Sequence, residues 1–180
     1  MRLLFIGPPG AGKGTQAGKV AARLGIPHIS TGEMFRDNVA TGTKLGRQVE
    51  AILEAGGYVP DELTVSMLRE RLSQPDAADG FILDGFPRTD VQVDYLDQLL
   101  GEDGLDKVVV FKVDEDVLTE RLLARGRTDD NEEIIRARFG IYTEQTRPLI
   151  EVYDDRGLVV WVDGIGELEE VTERILQAIA

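Results

Sequence analysis

Short apolar runs alternate with amphipathic stretches along most of the chain. A continuous apolar run that is bounded by glycine, proline or a polar residue is typical of a strand buried on both faces. The segments between the runs have helical periodicity, and a last helix is predicted over about 167–179. This alternation predicts an α/β fold with a parallel sheet. The predicted strands lie near residues 2–6, 27–29, 80–83, 107–112 and 158–162.

Residues 30–59 interrupt the simple alternation. They predict two short helices, over 31–40 and 43–55, of which the first begins at the capping-box sequence Ser30-Thr31-Gly32-Glu33. A crossover between parallel strands does not need this insertion. We therefore expect a small helical flap, hinged near Gly32 and Gly56-Gly57. The alternative is a structural decoration, and the presence of Thr31 and Arg36 on the flap favours the functional interpretation.

Polar residues stand where several predicted strands end. In chain order they are Gly7, Ser30-Thr31, Asp84, Asp114 and Asp163. In open α/β sheets, ligands bind outside the carboxyl ends of the strands, so we expect these residues to share one edge of the sheet. For Asp114 and Asp163, capping of a helix or turn is the preferred role.

The composition indicates an ordinary globular protein. With 180 residues, the chain corresponds to one domain that can bury a sizeable core. Its net charge of −13 argues against a nucleic-acid partner. The lack of cysteine excludes disulfides and thiolate metal sites, and it suits the cytoplasm. No membrane span is expected, and the first apolar run is too short for a signal peptide.

A glycine-rich segment predicts a phosphate site. Residues 7–15, Gly-Pro-Pro-Gly-Ala-Gly-Lys-Gly-Thr, lie between a predicted strand and a predicted helix. Glycines allow backbone N–H groups to surround a phosphate, and the helix directs its positive end at the same anion. Lys13 adds a full charge. Gly14 stands where the phosphate-loop pattern has Ser or Thr, with Thr15 following, so a hydroxyl ligand for magnesium is less secure here. An ordinary tight turn is the alternative.

A second segment, residues 80–89, brings an aspartate to the same predicted edge. Its apolar strand ends at Asp84, which would hold Mg²⁺ or the waters of that ion. Capping of the next helix is the alternative, but Thr89 or Asp90 already serves that purpose.

In so acidic a chain, an anion site must gather arginines locally. Arg121 and Arg125 are four residues apart on one predicted helix and so share a face. Arg138 lies in an apolar stripe, where a cation is costly unless an anion meets it. Salt bridges to the neighbouring acidic residues are the alternative, which we expect for one of these arginines and not for all. The arginines expected at the site are Arg36, Arg88, Arg121, Arg125, Arg127 and Arg138.

Together these segments resemble the adenylate kinase family over essentially the whole chain. Residues 7–16 are similar to its phosphate loop, 30–36 to its monophosphate-binding segment, 84–89 to its signature and 126–131 to the edge of its lid. The resemblance implies the reaction MgATP + AMP ⇌ 2 ADP. It also implies a three-layer P-loop NTPase fold with a five-stranded parallel sheet, a helical AMP-binding insert and a very short lid.

The resemblance also implies residue roles. ATP would be bound by Gly10, Ala11, Gly12, Lys13, Gly14, Thr15, Arg121, Arg125 and Gly166. AMP would be bound by Thr31, Arg36, Gly57, Tyr58, Val59, Gly85, Phe86, Pro87, Arg88, Gln92, Arg127 and Arg138. Catalysis would depend on Lys13, Arg88, Arg121, Arg127 and Arg138. Asp84 would hold Mg²⁺ through water.

The implied organisation has three parts. The core comprises 1–29, 60–124 and 129–180, the monophosphate-binding insert is 30–59, and the lid is the loop 125–128. The zinc of some long lids is not expected, because the short lid and the lack of cysteine leave it no ligands. The expected partners are ATP, AMP and ADP, with a monomeric protein and no nucleic acid or membrane.

Three other interpretations stay open. A GTPase would share the phosphate loop, and Asp163-Gly-Ile-Gly166 fits one of its motifs, but that motif comes too late in the chain and no Asn-Lys-x-Asp follows. A pyrimidine monophosphate kinase usually has Ala in place of Thr31 and Asn in place of Gln92. A non-catalytic nucleotide sensor would be expected to lack Lys13 or one of the arginines.

Overall fold

A five-stranded parallel sheet forms the centre of the computed structural model, which describes residues 1–127 and 130–180. The strand order is β2-β3-β1-β4-β5. All five predicted strands are confirmed, each to within one residue. Their bounds are β1 (Arg2–Ile6), β2 (His28–Ser30), β3 (Phe81–Asp84), β4 (Lys107–Lys112) and β5 (Val159–Asp163).

Helices connect the strands. The first begins inside the glycine-rich segment and ends at Gly25, which has a left-handed conformation. A π-helical turn, Tyr142–Thr146, interrupts the last crossover. The α-helices are α1 (Lys13–Leu24), α2 (Thr31–Ala40), α3 (Lys44–Glu54), α4 (Asp61–Leu72), α5 (Asp90–Leu100), α6 (Glu115–Arg125), α7 (Glu132–Ile141), α8 (Leu149–Asp155) and α9 (Leu168–Ile179).

Two hydrophobic layers hold the helices to the sheet. On one face, Leu4 and Ile6 of β1 pack in a cluster with residues of α4, α5 and α8. On the other face, Leu3 and Phe5 pack in a cluster with residues of α1 and α9. Because successive strand residues point to opposite faces, the unbroken apolar run of β1 fills both layers. The predicted three-layer α/β architecture is therefore confirmed.

The insertion 30–59 forms the two expected helices, α2 and α3. Ser30 caps α2, and its hydroxyl accepts a hydrogen bond from the Glu33 N–H at 3.4 Å. The two helices approach so closely that a Cβ at Gly46 would lie 2.0 Å from the Asn38 carbonyl oxygen. A small cluster of Phe35, Val49, Val59 and Met67 is separate from the two main layers. The insertion therefore has a local core, to which Met67 of α4 contributes.

The described residues cover only part of the predicted lid loop, 125–128, and of the start of the core segment 129–180. Thr128 and Asp129 lie outside the described residues. Gly126 ends α6 in a left-handed conformation, and Asn131 caps α7 by accepting from the Ile134 N–H. Among the described helices, none is long and apolar enough to cross a bilayer.

Candidate active site

A cleft of about 560 Å³ lies at the carboxyl edge of the sheet. The glycine-rich loop forms its floor, and residues that follow β2, β3 and β5 line its sides. The expected gathering of arginines is observed, since all six line this one cleft. They are Arg36, Arg88, Arg121, Arg125, Arg127 and Arg138.

The glycine-rich loop has the backbone that its composition predicts. Gly10 and Gly12 have φ values of 84° and 89°, which are unfavourable for residues with a Cβ. A Cβ at Gly10 would also lie 2.8 Å from the Leu118 carbonyl oxygen. Helix α1 begins directly at Lys13, so its free N–H groups point into the cleft. This is the geometry of an anion cradle.

Lys13 folds back over the loop. Its ammonium donates to the Gly7 carbonyl at 2.8 Å and to the Pro8 carbonyl at 3.0 Å. Burial, with a smaller contribution from the nearby arginines, lowers the pKa of Lys13 to about 8, whereas Asp84 opposes the shift. A phosphate anion that entered the cradle would favour the protonated form. Lys13 is thus poised to gain charge stabilisation when an anion binds.

Asp84 ends β3 beside the cradle and is 9% exposed. A Cβ at Gly14 would lie 3.3 Å from one of its oxygens, so the glycine at this position keeps the approach open. Burial alone would raise the pKa of Asp84, but His28, Lys13 and Arg88 together hold it below its ordinary value. The His28 Nε2 atom lies 3.5 Å from the carboxylate. Asp84 therefore presents an ionised carboxylate to the cleft.

The alternative role of Asp84 as a helix cap is not observed. Thr89 caps α5, with its hydroxyl accepting from the Gln92 N–H at 3.2 Å. Asp163 forms a turn, as preferred, because its carboxylate accepts from the Ile165 N–H at 2.9 Å. Asp114 occupies the N-cap position of α6 without a side-chain cap hydrogen bond.

The bend after β3 joins the flap to the core. The Thr31 hydroxyl, from α2, donates to the Gly85 carbonyl at 2.9 Å, and the Arg88 Nε donates to the same oxygen at 2.7 Å. The Arg88 guanidinium stacks over the Tyr58 ring, 4.8 Å from its centroid. The Arg88 guanidinium thus lies where the flap meets the cleft.

Thr146, in the π-helical turn, contributes a contact that the sequence did not predict. Its hydroxyl donates to the Arg88 carbonyl at 2.9 Å and lies 2.8 Å from the Tyr58 hydroxyl, which is then the donor to Thr146. Thr146 therefore ties the end of the flap to the arginine segment, which is the bend of residues 85–89 that carries Arg88. Nothing in the sequence marks it, since it stands within an ordinary helical pattern.

A second, small cavity adjoins the flap. It has about 30 Å³ of space, which admits about two water molecules. Many of the residues that the resemblance assigned to AMP line it. They are Thr31, Gly57, Tyr58, Val59, Gly85, Arg88 and Gln92.

Asp130 organises the arginines next to the predicted lid. Its fully buried carboxylate accepts two hydrogen bonds from Arg125, at 2.8 and 2.7 Å, and lies 3.3 Å from Arg138. Burial alone would raise the pKa of Asp130, but Arg125 and the Arg127 N–H hold it below its ordinary value. The salt-bridge alternative thus holds for Arg125 and Arg138, one more than expected, although both still line the cleft.

The far end of the cleft is formed by the segment after β5. Arg121 donates to the Gly164 carbonyl at 3.0 Å, and Gly166 also lines the cleft. The buried Gln16 side chain donates to the Leu168 carbonyl at 3.0 Å and accepts from Thr172 at 2.7 Å. These contacts fix α9 and its preceding loop against the phosphate loop.

Comparison with known proteins identifies the family. The sequence profile described as "Adenylate kinase" matches residues 5–158. The chain belongs to the adenylate kinase family. Relatives bearing that name extend the match to nearly the whole length, so the family predicted from the motifs is confirmed, and with it the interpretation as a nucleotide phosphotransferase.

Three such relatives illustrate the extent of the similarity. The "Adenylate kinase" of Nocardia farcinica is 52% identical, with 99% of each chain covered. That of Kocuria rhizophila is 52% identical over 99% of this chain and 98% of the relative. That of a Nocardioides species is 54% identical over 99% of this chain and 97% of the relative.

Proposed function

We propose that the chain catalyses reversible transfer of the γ-phosphoryl group of ATP to AMP, which gives two molecules of ADP. The gathering of Lys13 and six arginines around one cleft, in a chain of net charge −13, supports this most directly. Two nucleotides that meet at their phosphates bring several negative charges into one place. The positive charge of the cleft lowers the electrostatic free energy needed to bring the phosphates of the two nucleotides together.

ATP is assigned to the side of the cleft formed by the phosphate loop and the segment after β5. Residues 10–15 would surround the phosphates, while Arg121 and Arg125 supply further charge from one face of α6. The loop at Gly166 would lie against the adenine. The free N–H groups of α1 and the positive end of that helix favour the triphosphate at this position.

AMP is assigned to the side between the flap and the bend after β3. Arg36, Arg88 and Arg138 would hold its phosphate, with Arg127 contributing from the segment before α7. The backbone of 57–59 and 85–87, together with Thr31 and Gln92, would surround the nucleoside. The small cavity here is smaller than a purine, so the flap has to move outward to admit AMP.

The chemistry needs alignment and charge neutralisation more than proton transfer. A phosphate oxygen of AMP, already ionised, attacks the γ-phosphorus of ATP, and the bond to the oxygen between the β- and γ-phosphates breaks to release ADP. No general base is therefore required. Lys13 and the arginines neutralise the charge that shifts during transfer. Closure of the flap excludes water, which is a competing acceptor.

The residues present fit a magnesium ion carried by ATP. Asp84 offers an ionised, buried carboxylate beside the phosphate loop, and Gly14 leaves space next to it. Among the described residues no cluster of three potential ligands could hold a metal without the nucleotide. When bound, Mg²⁺ neutralises charge on the β- and γ-phosphates. Asp84 would hold and orient the water ligands of the ion.

An assay of ADP formation tests the proposed reaction. With ATP, Mg²⁺ and one monophosphate at a time, AMP should be consumed far faster than UMP, CMP or GMP. A preference for UMP or CMP would indicate a pyrimidine monophosphate kinase. Tight nucleotide binding without turnover would indicate a nucleotide sensor. Action as a cytoplasmic monomer stays a prediction.

A further inference from the structure

We propose that Asp61 is a positioning residue that fixes the orientation of the Gln92 amide, and thereby sets a preference for a 6-amino over a 6-oxo purine monophosphate. The proposal deepens the AMP site described above and rests on its assignment. Gln92 is on α5 and Asp61 is the first residue of α4, so the pair forms only when these helices pack.

Two partners with opposite requirements hold the Gln92 side chain, which is 2% exposed. Its carbonyl oxygen accepts from the Arg88 N–H at 2.8 Å. Its nitrogen donates to an Asp61 carboxylate oxygen at 2.7 Å. A backbone N–H can only donate and an ionised carboxylate can only accept, so the two ends of the amide are not interchangeable. A flipped amide would place two donors together and two acceptors together.

Asp61 is itself held in place. The same carboxylate oxygen lies 3.2 Å from the Thr89 hydroxyl. Thr89 also caps α5 through the Gln92 N–H. A carboxylate in the first turn of α4 is favoured by the positive end of that helix. Asp61, Thr89 and Gln92 thus form a closed group that resists rotation of the amide.

The fixed orientation of the Gln92 amide determines which edge of a purine base it can bind. One lone pair on its oxygen and one hydrogen on its nitrogen remain after the internal bonds are made. Gln92 lines the small cavity beside the flap, where the AMP nucleoside is assigned. An adenine edge offers a donor at the 6-amino group and an acceptor at N1, which an amide of fixed sense can match. A 6-oxo purine offers an acceptor and a donor in those places, which would require the flipped amide.

Flipping would break both internal hydrogen bonds of a buried group, and buried polar groups without partners are costly. Sites built around such hydrogen bonds reject analogues that leave them unpaired. The chain should therefore discriminate against IMP and GMP through Gln92, with Asp61 as the residue that keeps Gln92 from adapting.

The test compares AMP with IMP in the Asp61→Asn variant. The substituted amide can present either an oxygen or an NH₂ group to Gln92, so size is kept while the directional constraint from residue 61 is lost and only that of the Arg88 N–H remains. We expect the ratio of kcat/KM for AMP to that for IMP to fall by about tenfold, the equivalent of one hydrogen bond. The KM for AMP should rise by about threefold to tenfold, while the KM for ATP stays unchanged.

Glu62→Gln is the matched control. Glu62 is exposed in the same first turn of α4, so this variant loses the same charge without a contact to Gln92. It should keep the wild-type AMP to IMP ratio. Asp61→Ser, whose hydroxyl can also donate or accept, provides a second variant if Asp61→Asn does not fold.

The outcomes distinguish a failure of the Asp61 role from a failure of the AMP-site assignment. An unchanged AMP to IMP ratio in a folded Asp61→Asn variant overturns the positioning role. Equal losses with ATP and AMP also overturn it, because they indicate a general structural defect. A Gln92→Leu variant tests the site itself: an unchanged KM for AMP there would refute the base assignment, whereas a raised one leaves only the role of Asp61 at issue.

Discussion

At the scale of single residues, Lys13 shows how the cleft prepares for an anion. Its ammonium is bonded to two carbonyls of its own loop, which are weak substitutes for phosphate oxygens. Burial and neighbouring arginines disfavour its charge, and the nearest carboxylate, Asp84, supports it. The residue is therefore held close to its working position before substrate arrives, and a bound polyphosphate would stabilise it.

Lys13→Met should lower kcat by about two orders of magnitude or more, since comparable charge clamps contribute this much to phosphoryl transfer. The measurement is steady-state ADP formation at saturating ATP and AMP. Lys19→Met is the control, because Lys19 lies on the same helix and pairs with Glu169 at the surface. Near-wild-type turnover in Lys13→Met would remove this lysine from the chemistry.

The lowered pKa of Lys13 predicts a pH dependence. In the free protein this lysine loses its proton above a pH of about 8, so kcat/KM for ATP should decline above that pH. Bound phosphates raise the pKa, so the decline in kcat should begin at a higher pH. Lys13→Arg should abolish the decline in kcat/KM. A profile for the native protein that is flat to pH 10 would contradict the shift.

The same pKa shift has a consequence for folding. Between pH about 8 and the ordinary value of 10.5, the unfolded chain keeps a proton that the folded chain has lost. The contribution of Lys13 to the free energy of unfolding therefore increases as the pH rises through that window.

At the scale of elements, the site depends on helices that are joined through side chains. Asp130 links the end of α6 to α7 through Arg125 and Arg138. The Tyr58 and Thr146 hydroxyls join the end of the flap to the π-helical turn. Such turns often occur at functional sites, and here the turn places Thr146 against the arginine segment. These side-chain contacts hold the arginines in place. The hydrophobic cluster of the flap stays separate from the two main layers of the core.

Asp130→Asn should lower the free energy of unfolding by about 1–2 kcal/mol, less than for a fully buried pair because the arginines are partly exposed. A domain of this size should then melt about 2–8 °C lower. Calorimetry or a thermal melt followed by circular dichroism would measure the change. Glu133→Gln, at an exposed position in the first turn of α7, is the control and should melt like the native protein. An unchanged melting temperature in Asp130→Asn would show that the link contributes nothing.

At the scale of the whole molecule, the order of strands decides where the two nucleotides of the proposed reaction would meet. The phosphate loop follows the central strand β1, while the flap follows β2 and the arginine segment follows β3. Because the strands are parallel, all of these segments lie at one edge of the sheet. The two proposed sites are therefore distinct but share the cleft where phosphates would meet.

Separate sites predict separable stabilisation by ligands. ATP or AMP alone, each at about 100 times its dissociation constant, should stabilise the native protein by about 2.7 kcal/mol. The melting temperature should rise by about 5–10 °C in each case. Lys13→Met should reduce the shift with ATP and keep the shift with AMP, while Gln92→Leu should do the reverse. Loss of both shifts in either variant would indicate a single shared site.

Local patterns in the sequence determined the strands, the bounds of the two helices of the insertion and of the last helix, and the phosphate loop. Apolar runs, glycines that need a left-handed backbone and capping residues act over a few neighbouring positions, so they can be recognised without knowledge of packing. The edge of the sheet was also predictable, because parallel strands place their carboxyl ends together. The six arginines could therefore be expected at one cleft.

The contacts between distant residues were decided only by the tertiary structure. Asp61 reads in the sequence as an ordinary acid at the start of a helix, and its bond to Gln92 exists only because α4 packs beside α5. Asp130 could not be paired with particular arginines, and the pKa of Lys13 could not be assigned, before their burial and neighbours were known. The physical reason is that charge and hydrogen-bond energies depend on separation in space and on access of water, neither of which is fixed by separation along the chain.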